Sequence, residues 1–300
     1  MVRAACLCMC LASIAFAEPS ERILVVSVDG ADYLLAAGGT LAKAVLDGHR
    51  VTVAVIGNDE KESAGMPTQE TRRANRNDAL AAAEILGIED FLFFDHKAGE
   101  LGYTSSTEIR EQLFGLIRHT RPTKLFIPDP YVHYTRDWDV WFGGRAAEEA
   151  WGYSGGGTFS PVLARAGLEP YSVPEVFYYA VGRPYQPREG GERNAGLEVR
   201  DIASQMIAKR MALAMLRTRN RATVVEIRRR RAAKGGKDPW PGAPEDAAAG
   251  RYMEAMADEL GAAIGARHGL AYAEEFNYVG PGSPIPEFAL ERAVSKEGGQ

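Results

Sequence analysis

The stretch ILVVSV at residues 23–28 is a continuous run of apolar, mostly β-branched residues. Such a run is typical of a strand that is buried on both faces of a parallel sheet. Working outward from it, further strands are predicted at 51–56, 91–94 and 124–127, with helices at 41–46, 71–86 and 106–119 between them. The alternation predicts an α/β fold: a Rossmann-like, doubly wound, mostly parallel sheet with helices on both faces.

The second half of the chain has weaker signals. We expect a helix at 143–151, a strand at 176–180, a surface loop at 181–198, and helices at 201–217 and 245–268. Four consecutive arginines, Arg228–Arg231, interrupt this pattern. They fit either a solvated helix end or a patch that binds anions. The absence of flanking aromatic residues gives the stretch no platform for stacking nucleic-acid bases.

Residues 1–17 have the pattern of a secretory signal: a basic residue, an apolar run too short to cross a bilayer, and the small-x-small sequence Ala15–Ala17. A retained N-terminal anchor is the alternative. We therefore expect residues 18–300 to form a single domain, with a core at about 22–280. The expected location is periplasmic or extracellular.

Composition excludes several functional classes. The chain of 300 residues has 25% charged residues and a net charge of −5, which argues against general nucleic-acid binding. All three cysteines lie within residues 1–17, so the exported chain would have neither disulfides nor thiolate metal ligands. No later apolar run is long enough for stable membrane insertion. The sequence does not set the oligomeric state.

Carboxylates are concentrated in three segments that follow predicted strands. These segments are 29–33, 58–62 and 129–139. In open α/β sheets, ligands bind beyond the carboxyl ends of the strands, so the three segments are expected to meet at one edge. Clustered carboxylates suit a divalent cation. Equally, aspartate routinely caps helices and turns, and the sequence alone leaves both interpretations open.

Several short motifs follow one another in a recognisable order. They are Gly38-Gly39-Thr40-Leu41-Ala42, Gly48-His49-Arg50-Val51, Asn58-Asp59-Glu60, Arg76-Asn77-Asp78, Leu86-Gly87, Val173-Pro174-Glu175 and Tyr272-Ala273-Glu274-Glu275-Phe276. In this order and spacing, the chain resembles the PIG-L / LmbE-like N-deacetylases from about residue 22 to about residue 280. The resemblance implies an LmbE-like fold and amide hydrolysis on an N-acetylated, sugar-like small molecule.

The resemblance also implies a catalytic zinc ion, held by two histidines and an aspartate, with a second aspartate as general base. This chain departs from that pattern. Asp29 stands in the place of the first histidine, Ala31 in that of the base, and Asp32 is kept. The family's His-x-Asp-His segment corresponds to 137–140, or, with a slip of one residue, Asp139 takes the place of a ligand histidine.

From this correspondence we predict metal ligands at Asp29, Asp32 and Asp139. Such a carboxylate set is more compatible with Mn²⁺, Mg²⁺ or Ca²⁺ than with the zinc of the family. Catalytic roles are predicted for Asp137 and His133, although His133 equally fits a surface or stacking role. Substrate binding is predicted for Tyr33, Arg76 and Arg136, with Tyr33, His133 and Arg136 on the rim of the cleft.

Two functional hypotheses remain. One is a metal-dependent N-deacetylase with altered or reduced activity, because Ala31 cannot accept a proton. The other is a catalytically inactive relative that binds a sugar-like or other polar ligand. A dinucleotide-binding oxidoreductase is disfavoured, because no Gly-x-Gly-x-x-Gly follows the first strand and Asp29 would repel a pyrophosphate.

Overall fold

The computed structural model describes residues 21–133, 137–185 and 196–281, without the side chain of His133. The predicted signal at 1–17 and the predicted substrate-binding residue Arg136 lie outside the described residues. Within them, seven strands form one sheet in the order β3-β2-β1-β4-β5-β7-β6. The strands are β1 (Arg22–Ser27), β2 (Arg50–Gly57), β3 (Asp90–His96), β4 (Lys124–Pro128), β5 (Glu175–Tyr179), β6 (Leu197–Asp201) and β7 (Ala273–Val279).

The helices of the described residues lie between these strands. They are α1 (Asp32–Leu46), α2 (Thr68–Ile85), α3 (Ser106–Thr120), α4 (Pro130–His133), α5 (Trp138–Ser154), α6 (Pro161–Arg165), α7 (Met206–Ala214), α8 (Arg217–Ala233) and α9 (Glu245–Arg267). Short 3₁₀ turns occur at Leu101–Tyr103 and Ala203–Gln205. None of the helices in these described ranges is long and apolar enough to span a bilayer.

The first five strands are parallel, and the predicted α/β class is confirmed. Ile23 of β1 is opposite Val51 of β2 on one side and Lys124 of β4 on the other. Alternate residues of β1 point to opposite faces of the sheet. Val25 packs with residues of α1, α2, α7 and α9, whereas Val26 packs with residues of α3 and α5. The sheet therefore separates two apolar cores, each covered by helices.

The last two strands differ from the predicted pattern. β7 runs antiparallel to β5 and to β6, and neither β6 nor β7 was predicted. The expected loop at 181–198 overlaps the start of β6. The expected helix at 201–217 is also different, because this range contains the end of β6, then α7 and then the first residue of α8. Charged residues in both strands conceal the usual alternation of apolar and polar side chains. Two of them, Glu274 and Glu275, are buried although their charge is typical of surface positions.

Helix α5 begins at Trp138, five residues before the predicted start at 143. The reason is the capping residue Asp137, whose Oδ1 accepts a hydrogen bond from the N–H of Val140. Further along α5, a Cβ on Gly144 would lie 2.5 Å from the carbonyl oxygen of Pro128. This glycine lets α5 pack directly on the carboxyl end of β4, which brings Asp137 to that edge of the sheet.

The Gly-Gly-Thr motif and the Glu-Glu motif contact each other. Glu274 of β7 accepts hydrogen bonds from the N–H groups of Gly39 (2.9 Å) and Thr40 (2.8 Å). Lys209 of α7 completes the arrangement, with its Nζ 2.7 Å from Glu274 Oε1 and 2.7 Å from the carbonyl oxygen of Leu35. The two motifs therefore join α1, α7 and β7, and their role here is architectural.

Candidate functional site

The carboxyl ends of β1 and β2 bring three aspartates into one electrostatic cluster, which we call the acidic cluster: Asp29, Asp32 and Asp59. Asp29 follows β1 and Asp32 begins α1, while Asp59 follows β2. Asp59 Oδ2 accepts a hydrogen bond from the N–H of Gly30 at 2.9 Å, which ties the two loops together. A Cβ at position 30 would lie 3.1 Å from that oxygen, so glycine permits the close approach.

Asp29 is held by backbone and side-chain donors at once. Its Oδ1 accepts from the N–H groups of Ala31 (2.8 Å) and Asp32 (2.9 Å), at the start of α1. Its Oδ2 lies 2.5 Å from a guanidinium nitrogen of Arg219, in α8. Burial raises the pKa of Asp29, but Arg219 and the two N–H donors outweigh burial and leave this pKa below its usual value.

Asp32 is 4% exposed, and its Oδ2 has no hydrogen-bond partner among the described residues. Burial raises the pKa of the Asp32 carboxyl well above its usual range, and the Asp29 and Asp137 carboxylates raise it further, with Arg219 acting in the opposite direction. Asp32 and Asp29 are thus close enough to interact strongly, and Asp137 acts on the same carboxyl from the start of α5.

Asp59 adopts a left-handed backbone conformation, with φ of 49°. Burial raises the pKa of its carboxyl to about 7, with a second contribution from Asp29. Asn75 of α2 stabilises this turn, because its Nδ2 donates to the carbonyl oxygens of Asp59 (2.8 Å) and Glu62 (2.9 Å). Helix α2 therefore fixes the position of the second loop.

Arg219 is the residue that sequence reasoning missed. Burial lowers its pKa, but Asp29 and Asp59 raise it more strongly, so the guanidinium remains charged. One signal could have indicated it: the uncharged residues Leu216, Asn220 and Val224 recur every four residues, which marks an inward face that starts just before α8, and all three are buried. Arg219 is adjacent to that face.

One predicted site residue, Tyr33, lies away from the cleft. It was expected on the rim, but it is 0% exposed and packs edge-on against Phe91 in the core, because the side chain faces the sheet from α1. Arg76 is exposed on α2 with its guanidinium 4.3 Å from the centre of the Phe93 ring. Its predicted role in substrate binding stays a prediction.

Asp139 has a structural partner. Its Oδ2 accepts from the N–H of Gly99 at 2.5 Å and its Oδ1 from that of Leu101 at 3.2 Å, so it holds the loop after β3. Its predicted role as a metal ligand remains a prediction. The predicted catalytic group of His133 and the side chain of Arg136 lie outside the described residues.

The side chains present do not fit the zinc site that the resemblance implies. Asp29 already accepts three hydrogen bonds or ion-pair contacts, and both oxygens of Asp139 accept from backbone N–H groups. No group of three His, Cys, Asp or Glu side chains in the described ranges is arranged to hold a metal ion. Zinc sites in proteins draw on imidazole or thiolate ligands, and the acidic cluster offers neither.

A cavity of about 570 Å³ lies at the opposite edge of the sheet. It is lined by side chains at the amino ends of β1, β2 and β3, among them Arg50 and Asp90, which pair with each other at 2.6 Å. Ligands of open α/β sheets bind at the carboxyl ends of the strands, and this cavity is at the amino ends. Its charged side chains Arg50 and Asp90 already bind each other. We therefore place the candidate site at the acidic cluster.

Comparison with known proteins shows what the chain is similar to. Residues 29–139 match the PIG-L family, described as GlcNAc-PI de-N-acetylase. Over this segment the chain resembles the PIG-L family. The segment begins at Asp29 and ends at Asp139, so the PIG-L segment contains the acidic cluster and Asp137, while Arg219 lies beyond it. The predicted resemblance is confirmed.

Among curated proteins, the chain is similar to diacetylchitobiose deacetylase from Thermococcus kodakarensis, with 27% identity over 169 residues. The match covers 55% of this chain and 61% of the relative, so it spans less than two thirds of that protein. Among solved structures, N,N'-diacetylchitobiose deacetylase from Pyrococcus horikoshii superposes with a TM-score of 0.69 at 20% identity, covering 89% of this chain and 88% of that one.

A second solved structure with a similar fold is named for a different reaction. GalB, the 4-carboxy-2-hydroxymuconate hydratase from Pseudomonas putida KT2440, has a TM-score of 0.61 at 21% identity, covering 88% of this chain and 98% of that one. At these identities the likeness establishes the fold alone. Function must therefore be argued from the residues of the site.

Proposed function

We propose that the chain is a PIG-L-type N-deacetylase that acts on an N-acetylated, sugar-like small molecule, with hydrolysis slowed by its substituted site. The observation that carries the proposal is the position of the PIG-L segment. It encloses Asp29, Asp32 and Asp137, which interact at the carboxyl edge of the sheet, while Ala31 stands where the family has its general base. Losing a general base costs about 10²–10⁴-fold in rate.

The reaction itself is a hydrolysis. Water adds to the amide carbonyl carbon, the C–N bond breaks, and a proton passes to the departing nitrogen, which yields acetate and a free amine. Asp137 is the carboxylate best placed to accept the proton of the water, because its side chain is exposed at the start of α5 and acts on Asp32. Arg219 supplies positive charge beside the same cluster.

Metal dependence, which the resemblance implies, is not supported by the donor atoms of the described residues. The carboxylates that correspond to the family's ligands already bind N–H groups or Arg219. The proposed reaction therefore relies on protein side chains, and the proposed rate is correspondingly low.

Aromatic side chains near the cluster support a ring-shaped, sugar-like ligand. Trp138 follows Asp137 directly and is 58% exposed, and Tyr131 in helix α4 is also exposed. Aromatic rings in a polar cleft bind the apolar faces of ligands while nearby polar groups fix their orientation. The buried Oδ2 of Asp32 and a buried guanidinium nitrogen of Arg219 have no partner within the described residues and offer hydrogen bonds to a ligand.

Acetate release from N,N'-diacetylchitobiose tests the proposal. We expect saturable binding of this disaccharide in calorimetry and slow acetate formation by nuclear magnetic resonance, with acetate formation lost in Asp137→Ala. The matched control is Asp201→Ala, an exposed aspartate that likewise accepts a backbone hydrogen bond. If the wild-type protein neither binds nor hydrolyses N-acetylated sugars, the proposal is wrong.

A second candidate function is binding without hydrolysis. One observation favours it: Asp29, which stands in the place of a metal ligand of the family, is paired with Arg219. In this case the disaccharide would bind with the same dependence on Trp138, but prolonged incubation would release no acetate above a buffer blank.

A further inference from the structure

The acidic cluster poses an electrostatic problem. Asp32 and Asp59 are buried and Asp29 is partly buried, and neighbouring carboxylates raise one another's free energy when they ionise. A divalent cation is one means of offsetting such a concentration of negative charge. A buried guanidinium is another, since arginine retains its charge in proteins and its planar group matches the geometry of a carboxylate.

Arg219 is held in position for this purpose by helix α2. The N–H of Thr218 at the start of α8 donates to Asp78 Oδ2 at 2.8 Å, and Asn220 Nδ2 donates to the carbonyl oxygen of Leu213 at 2.8 Å. Asp78 lies one turn after Asn75, which fixes the Asp59 loop. One helix therefore positions both the guanidinium and one of the carboxylates that it neutralises.

The contacts of Asp29 leave little room for a cation. Oδ1 accepts two N–H groups, and Oδ2 is occupied by Arg219. A cation bound at Asp29 would have to displace the guanidinium, and like charges at that distance repel each other. The arginine and a metal ion are thus alternatives at the same carboxylate.

We infer that Arg219 takes the place of a divalent cation as the counter-charge of Asp29, Asp32 and Asp59, so that the folded protein is organised without a metal ion. This goes beyond the proposed function, because it concerns how the site is assembled and holds whether or not the site hydrolyses amides. It also predicts a gain of function: removing the guanidinium should open the cluster to a hard cation, since carboxylate oxygens are the ligands that Mn²⁺ and Ca²⁺ prefer.

The test measures metal binding directly. Wild-type protein and Arg219→Ala are dialysed against chelator, and their thermal midpoints are then measured with Mn²⁺, Ca²⁺ or Zn²⁺ at about 100-fold excess, alongside calorimetric titration. We expect the wild-type midpoint to be unchanged by chelator or cation. Arg219→Ala should melt at a lower temperature and recover part of the loss with Mn²⁺ or Ca²⁺, because a ligand that binds only the folded state stabilises it.

Two further variants keep the test decisive. Arg221→Ala removes an arginine from the same helix that pairs with Glu245 at 2.5 Å, away from the cluster, and should leave both stability and metal response near wild type. If Arg219→Ala does not fold, Arg219→Gln retains hydrogen-bonding capacity without charge and is expected to gain cation binding. Stoichiometric binding of a divalent cation by the wild-type protein, or a folded Arg219 variant that binds none, would overturn the inference.

Discussion

Lys209 Nζ lies 2.7 Å from Glu274 Oε1, and each of these side chains is only 1% exposed. Breaking a buried ion pair by removing one partner leaves an uncompensated charge. We expect Lys209→Met to lower the free energy of unfolding by about 3–5 kcal/mol, measured by urea denaturation. Lys43→Met, which removes a solvent-exposed pair with Asp47, is the control and should change it by less than about 1 kcal/mol. Equal effects of the two substitutions would contradict this account.

Gly39 is the second position at which the architecture allows a quantitative test. A Cβ there would lie 2.7 Å from Ile202 Cβ, so Gly39→Ala is expected to destabilise the protein by about 1–3 kcal/mol through overpacking. At Gly115 in α3, an added Cβ would have no other atom within 4 Å. Gly115→Ala should therefore stabilise the protein by about 0.5–1 kcal/mol. Differential scanning calorimetry of the two variants measures both, and a stabilised Gly39→Ala would refute the packing argument.

Asp139 and Asp137 are predicted to protect different backbone N–H groups from exchange with solvent. In Asp139→Ala, we expect the amides of Gly99 and Leu101 to exchange hydrogen faster, because the carboxylate that accepts from both of them is removed. Asp137→Ala should leave these two amides protected and instead expose the N–H of Val140, with a cost of about 1 kcal/mol for the lost cap. Amide hydrogen exchange followed by mass spectrometry distinguishes them. Identical patterns in the two variants would show that the assignment is wrong.

Trp138 is expected to contribute to ligand affinity rather than to stability, because its side chain is largely exposed. Trp138→Ala should weaken binding of an N-acetylated disaccharide about 2–10-fold, as an aromatic contact worth about 0.5–1.5 kcal/mol would. Leu46→Ala removes another exposed apolar side chain, at the carboxyl end of α1, and should leave the affinity unchanged. Calorimetric titrations of both variants give the comparison, and unchanged affinity in Trp138→Ala would remove this residue from the site.

The parallel half of the fold could be predicted from the sequence because its signals are local. The run at 23–28 and the later strands are mostly apolar, and glycines such as Gly48 and Gly87 follow the helices. Strand β7 could not be predicted in the same way. Its buried Glu274 and Glu275 resemble surface residues, and the cations that neutralise Glu274 and Glu275, Lys209 and Arg267, belong to helices elsewhere in the sequence.

The candidate site was predictable only in part, for a related reason. Asp29, Asp32 and Asp137 follow strands or begin helices, so the general rule for open sheets places them at one edge. No such rule predicts the position of Arg219, the ion-pair partner of Asp29. Arg219 lies 190 positions later, in a helix whose many arginines indicate solvent exposure. Only the packing of α8 against α2 turns this one arginine toward the acidic cluster, where its side chain is partly buried.

The contact between Glu274 and the Gly39–Thr40 backbone also constrains the order of events during synthesis. Gly39 and Glu274 are 235 residues apart, so α1 cannot meet its carboxylate until Glu274 has been synthesised. Closing so long a loop is slow compared with forming the helices themselves. A nascent chain that ends before residue 274 therefore has Lys209 but not the charge that neutralises it, so this buried ion pair can form only after strand β7 has been made.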